Sequence, residues 1–157
     1  PCMVSATDPA PLESAQRDSA PLNSAAEAFA AIALAAVACD GELATAEARR
    51  LRQQLEYRQP YCTLNDAAMA DLLDRLLLIL REQGCESLVA QATPLLSTAQ
   101  RETALAVATD LTCADHIETS DEHRFLQALA QQLEISPERS RQILDVITLL
   151  NCDSLAG

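Results

Sequence analysis

The chain contains no lysine and no tryptophan, and only three glycines, two phenylalanines and two tyrosines. Without lysine there can be no Schiff-base chemistry and no phosphate-loop lysine. So few glycines and aromatics argue against a sheet, because strands favour aromatic and β-branched residues and their hairpins need turn glycines. The six cysteines, at positions 2, 39, 62, 85, 113 and 152, include no C-x-x-C pair and no histidine at zinc-finger spacing. They read as reduced thiols, although Cys39 and Cys113 lie beside the two acidic motifs described below, which keeps thiol ligation open as a minor role. The longest apolar runs, 29–39 and 76–80, fall far short of the roughly 20 residues needed to span a bilayer. Also absent are G-x-S-x-G, H-E-x-x-H, a glycine-rich phosphate loop and the E-x-x-H pairs of di-iron bundles. The expectation is therefore a protein that is not an enzyme.

What is present is alanine, leucine and acid. Aspartate and glutamate together number 23 against 11 arginines, for a formal net charge of −12. Such a charge disfavours nucleic acid and anionic membrane surfaces as direct partners and leaves cations and basic proteins. A chain of 157 residues suits one domain with a core large enough to fold without disulfides or a structural metal. Residues 1–20, rich in Pro, Ser and Ala, read as a flexible or extended tail, and 21–157 as the helical domain. No basic region followed by an apolar one opens the sequence, so a cytoplasmic location without direct membrane insertion is expected.

Apolar spacing predicts an all-α, single-domain bundle of about seven helices. The first, over 25–39 and capped by Asn23 or Ser24, is apolar on nearly every face, as the buried centre of a bundle should be. The second, over 45–58, carries Leu51 and Leu55 inward and ends before Pro60. A third, capped near Thr63 or Asn65 and ending at Gly84, presents Leu72, Leu73, Leu76, Leu77 and Leu80, with Leu78 and Ile79 widening the apolar surface. A short helix over 86–91 stops at Pro94. The fifth, over 97–112, buries Leu105, Ala108 and Leu111, and the sixth, over 120–133, buries Phe125, Leu126, Leu129 and Leu133. Ser136-Pro137 starts the last helix, with Ile143, Leu144, Ile147 and Leu150 inward.

Two acidic corners organise this pattern. Asp40-Gly41-Glu42 through Glu47 follows the first helix, and Asp115-His116-Ile117-Glu118 through Glu122 follows the fifth. Asp40 and Asp115, Thr45 and Ser120, and Glu47 and Glu122 all share one sequence offset, which makes the bundle read as two pseudo-repeated halves. Thr45 and Ser120 are expected to be N-caps, with Glu47 and Glu122 in the first turn, where the helix dipole favours an acid. Asp40 and Asp115 instead sit near helix C-termini, where an acid costs about 0.3–1 kcal/mol unless a cation compensates.

A divalent cation is one such compensator, with Asp40, Glu42 and Glu47 as one oxygen set and Asp115, Glu118 and Glu122 as the other. His116 would shift the second set toward transition metals. The alternative is that both are solvated, well-capped helix corners. An EF-hand does not fit, because its fifth and twelfth loop positions here would be Ala44 and Leu51.

The stretch Ala38-Cys39-Asp40-Gly41-Glu42-Leu43 with Glu47, and its counterpart from Cys113-Ala114-Asp115 to Glu122-His123-Arg124-Phe125-Leu126, resembles the tellurite-resistance protein B (TerB-like) family. The resemblance spans about 24–150 and departs in the second copy, where His116 replaces the expected glycine and Glu118 an expected apolar residue. It implies a cytoplasmic helical domain that binds divalent metal through the clustered acids. It also implies a role in a tellurite, metal or general stress-response system, with protein partners of chaperone or membrane-associated type. The competing expectation is a metal-independent acidic interaction module docking such partners, and self-association into a homo-oligomer is open in either case.

Overall fold

The computed structural model describes residues 22–113 and 120–152. Among them are seven α-helices and no strand: α1 (Ala25–Ala38), α2 (Thr45–Glu56), α3 (Asp66–Gln83), α4 (Cys85–Ala92), α5 (Thr98–Cys113), α6 (Ser120–Gln132) and α7 (Pro137–Leu150). Short 3-10 turns, Tyr61–Thr63 and Thr93–Leu95, join α2 to α3 and α4 to α5. The all-α expectation holds. The tail expected over 1–20 and the second acidic corner, at 114–119, on which the two-halved reading depends, lie outside the described residues.

The helices begin where side-chain oxygens are available to accept first-turn N–H groups. Ser24 Oγ accepts from Glu27 N–H at 3.1 Å, Asn65 Oδ1 from Ala68 N–H at 2.8 Å, and Ser136 Oγ from Arg139 N–H at 3.2 Å. At the start of α5, Ser97 and Gln100 form a reciprocal pair: Gln100 N–H donates to Ser97 Oγ (3.2 Å) and Ser97 N–H to Gln100 Oε1 (2.8 Å). Two caps differ from expectation, since Ser120, like Thr45, is the first residue of its helix and not the residue before it. Thr45 is the first helical residue, and Ala44, with extended backbone, takes the cap position. The Glu47 carboxylate reaches back to the Ala44 N–H at 3.2 Å and so fixes the helix start one residue earlier.

α1 is the centre of the bundle. Ala28, Ala30, Ala31, Ile32, Leu34, Ala35 and Ala38 are all fully buried, because α5, α4, α3 and α2 pack around it. Small side chains on every face let several helices approach one axis. In α3 the buried stripe is Met69, Leu73, Leu76, Ile79 and Leu80, while Leu72 and Leu77 are only partly covered. The stripe is rotated from the expected one, with Ile79 inside it. α7 departs most: Ile143 and Leu144 touch the core, but Leu150 is 73% exposed, a correction considered below.

Candidate functional site

The first acidic corner is built by the end of α1. Cys39 caps that helix, the Gly41 N–H donates to the Ala38 carbonyl at 2.7 Å, and Gly41 takes φ +89°. A Cβ at Gly41 would meet Arg81 Cγ at 3.5 Å, an ordinary contact, so the backbone angle and not crowding makes glycine the fitting residue. Asp40 Oδ1 accepts the Glu42 N–H at 3.0 Å, closing the turn. Arg81 of α3 crosses over and donates its Nε–H to the Gly41 carbonyl at 2.8 Å. The cation at this helix end is thus a guanidinium of the chain itself.

Of the three acids expected there, Asp40 holds the turn, Glu47 holds the start of α2, and Glu42 is exposed. Together with Cys39, Leu80, Arg81 and Gly84, Asp40 and Glu42 line an open cleft of about 500 Å³. Asp115, His116 and Glu118 lie outside the described residues. Glu122 lies in the first turn of α6, partly covered. Among the described residues, no three His, Cys, Asp or Glu side chains are grouped so as to hold a metal ion.

Two other features lie away from the acidic corners. Phe29, Tyr57 and Tyr61, three of the chain's four aromatic residues, line one cleft of about 420 Å³ with Arg58 and Pro60. The Arg58 guanidinium lies 4.8 Å from the Tyr57 ring centre and 5.6 Å from that of Phe29, and it donates to Tyr57 Oη at 2.8 Å and to the Gln54 carbonyl at 2.8 Å. Tyr61 is buried and its hydroxyl donates to the Ala26 carbonyl. The Tyr57-Arg58-Gln59-Pro60-Tyr61 run is visible in the sequence, but the approach of Phe29 is not.

Burial pushes the Tyr61 phenol up to about 12, with the Ala30 amide and Arg58 opposing it only in part. A folded pKa raised above the unfolded value means stability that is complete below about pH 10 and lost as pH rises toward 12. Tyr61→Phe should remove that alkaline loss and, with it, the phenolate absorbance step near pH 12.

The third feature is on α7. Val146 (61% exposed), Leu149 (73%) and Leu150 (73%) are three of the five large apolar side chains that stand exposed among the described residues. Ile143, Val146, Ile147 and Leu150 repeat at i, i+3, i+4 and i+7, the spacing of a helix face that packs on another helix. Of the residues expected inward, Ile143, Leu144, Ile147 and Leu150, the first two pack on the core and Leu150 stands exposed, because apolar spacing reports a face without saying what covers it. On the other side of α7, a groove of about 420 Å³ shared with α6 is lined by His123, Gln127, Ile135, Arg141, Leu144 and Asp145. No described helix is long and apolar enough to cross a membrane. The chain matches no family model, no characterised protein and no solved structure, so the TerB-like resemblance rests on its own residues.

Proposed function

We propose that the chain is an acidic interaction module whose last helix docks a basic, amphipathic helical segment of a partner protein, with no catalytic step and no required metal. The observation that carries this is the exposed strip Val146, Leu149 and Leu150 on α7. A helix laid on anchors at i, i+3, i+4 and i+7 would cover it. Charge selects the occupant: a chain of net charge −12 attracts a cationic segment and repels a second copy of itself. The family resemblance points the same way insofar as it implies protein partners.

The acidic corner supports this over the metal-binding reading, because two of its three carboxylates already accept N–H groups of their own loop. A hard divalent cation wants several oxygens free to turn toward it.

The test uses a synthetic helix with leucines at helical spacing and lysines elsewhere. It should bind at low salt, bind more weakly as salt rises, and lose at least about tenfold in affinity to Leu149→Ser/Leu150→Ser, equivalent to about 1.4 kcal/mol. Equal binding by that variant, or by a glutamate version of the peptide, would sink the reading. So would a concentration-dependent dimer in sedimentation that the variant abolishes, which would make the strip a self-association face. A melting-temperature rise of several degrees with calcium, magnesium, manganese or zinc, lost in Asp40→Asn, would instead return the function to metal binding; a saturating ligand contributes about 2.7 kcal/mol at a hundred times its Kd.

A further inference from the structure

The aromatic cleft is held in shape by the protein itself. Tyr61 is buried, with its hydroxyl bound to the Ala26 carbonyl and its ring centre 6.5 Å from that of Phe29, so these two rings are fixed. Tyr57, which caps the end of α2, stands 66% exposed. Its ring also lines a second open cleft of about 220 Å³, with Arg50, Gln53 and Asp110. The two clefts therefore meet at Tyr57 and make one elongated surface with an arginine on each side of the ring. It shares no residue with the α7 strip.

Arg58 supplies the charge. Arg52, Arg75, Arg101 and Arg139 each meet a carboxylate, whereas Arg58 meets none among the described residues, in a chain with 23 acids to 11 arginines. It is half-buried and held over the Phe29 and Tyr57 rings. One of its N–H groups goes to the Gln54 carbonyl and one to Tyr57 Oη, which leaves three of the five a guanidinium carries. A guanidinium fixed in this way is set to receive a carboxylate. The local sequence agrees, because residues 49–58 hold four arginines and one glutamate. In the second cleft Asp110, which accepts from Gln54 and Asn151, opposes a further acid, so the carboxylate belongs on the Arg58 side.

We propose that the two clefts are the docking site of an extended, proline-containing acidic segment of a partner protein, with a proline packed on the Tyr57 ring and a neighbouring carboxylate paired with Arg58. A polyproline II segment suits this surface. It is extended before it binds, so little order is lost, and its pyrrolidine rings pack on aromatic walls. Having no internal hydrogen bonds, it also presents free carbonyls, for which Gln59 and Gln100 in the first cleft and Gln53 in the second offer amide N–H groups. The net charge of −12 disfavours an acidic segment over the surface as a whole, so the concentration of arginine on α2 selects this face. The α7 strip and the aromatic clefts thus take partner segments of opposite charge.

Calorimetric titration of the full-length protein with a short synthetic peptide alternating proline and glutamate provides the test. The peptide should bind at or below millimolar concentration and bind more weakly as salt rises. Tyr57→Ala, a change at an exposed position, should weaken it at least about tenfold. Arg58→Gln should weaken it to a similar degree and flatten the salt dependence, while Leu149→Ser/Leu150→Ser should leave it unchanged. Equal binding by Tyr57→Ala, by a lysine-for-glutamate peptide or by an alanine-for-proline peptide would overturn the proposal, as would no binding at millimolar concentration or a loss in the α7 variant. Binding that appears only in Pro9→Ser/Pro11→Ser would overturn it too, because the clefts would then belong to the chain's own Asp8-Pro9-Ala10-Pro11 stretch.

Discussion

Leu34→Ala and Ala35→Leu, adjacent changes of opposite volume on α1, will both destabilise the protein, by about 2–5 and about 1–3 kcal/mol respectively. Both residues are fully buried. Successive residues on a helix point about 100° apart, so the two changes probe different sides of α1. A helix with a solvent face accommodates a larger side chain on at least one of two such sides. α1 has none to offer over this stretch, because α2, α3, α4 and α5 all pack against it. Leu34→Ala leaves a cavity that the surrounding helices fill only in part. Ala35→Leu forces a neighbouring helix away from an axis that alanine allowed it to approach. Alanine and leucine differ little in helix propensity, so the effect in either direction is packing. Urea denaturation should show lower midpoints at unchanged slope. An Ala35→Leu protein within about 0.5 kcal/mol of the parent, the range of ordinary surface changes, would mean that α1 has an open side.

The same helix shows what was legible in the sequence. Its position was, because Ser24 is a capping residue, Gly41 sits where a helix must close, and the run between is apolar all round. Asn65 and Ser136-Pro137 announce α3 and α7 in the same local way. Facing was less legible. In α3 the leucines nearly encircle the helix, so spacing alone did not say that Met69 and Ile79 are core and Leu72 and Leu77 its margin. In α7 the apolar spacing marks a face that the core covers at Ile143 and Leu144 and leaves open at Leu150.

The acidic corner divides along the same line. The turn at Gly41 and the place of Glu47 in the first turn of α2 are consequences of neighbours a few residues away. The hold of Arg81 on the Gly41 carbonyl joins residues 40 apart in sequence, a contact that no local rule supplies. Sequence reasoning saw an acid at a helix C-terminus and asked what compensates it. The fold supplies an arginine from another helix.

That arginine is one of two by which α3 grips α1, and the other carries the second large prediction. Arg75 pairs with Glu27, with only 17% and 14% of the two side chains exposed. Glu27 also accepts the Asn23 N–H at 3.1 Å, and its own N–H is held by Ser24, so the carboxylate secures both the start of α1 and its contact with α3. Substituting either partner alone by leucine will cost about 3–5 kcal/mol, the penalty for a charge left in a site from which most water is excluded. The double variant Glu27→Leu/Arg75→Leu should recover most of that loss, because the desolvation cost disappears with the charges. A double-mutant cycle should therefore show strong coupling between the two positions, where an exposed pair would give about 0.2–1 kcal/mol. Glu27→Gln separates the roles, since an amide oxygen still accepts the Asn23 N–H but carries no charge for Arg75; its loss should fall between those of the parent and Glu27→Leu. Single variants that cost less than about 1 kcal/mol would place the pair in effective contact with solvent, and α1 would then depend on Arg81 and apolar packing for its hold on α3.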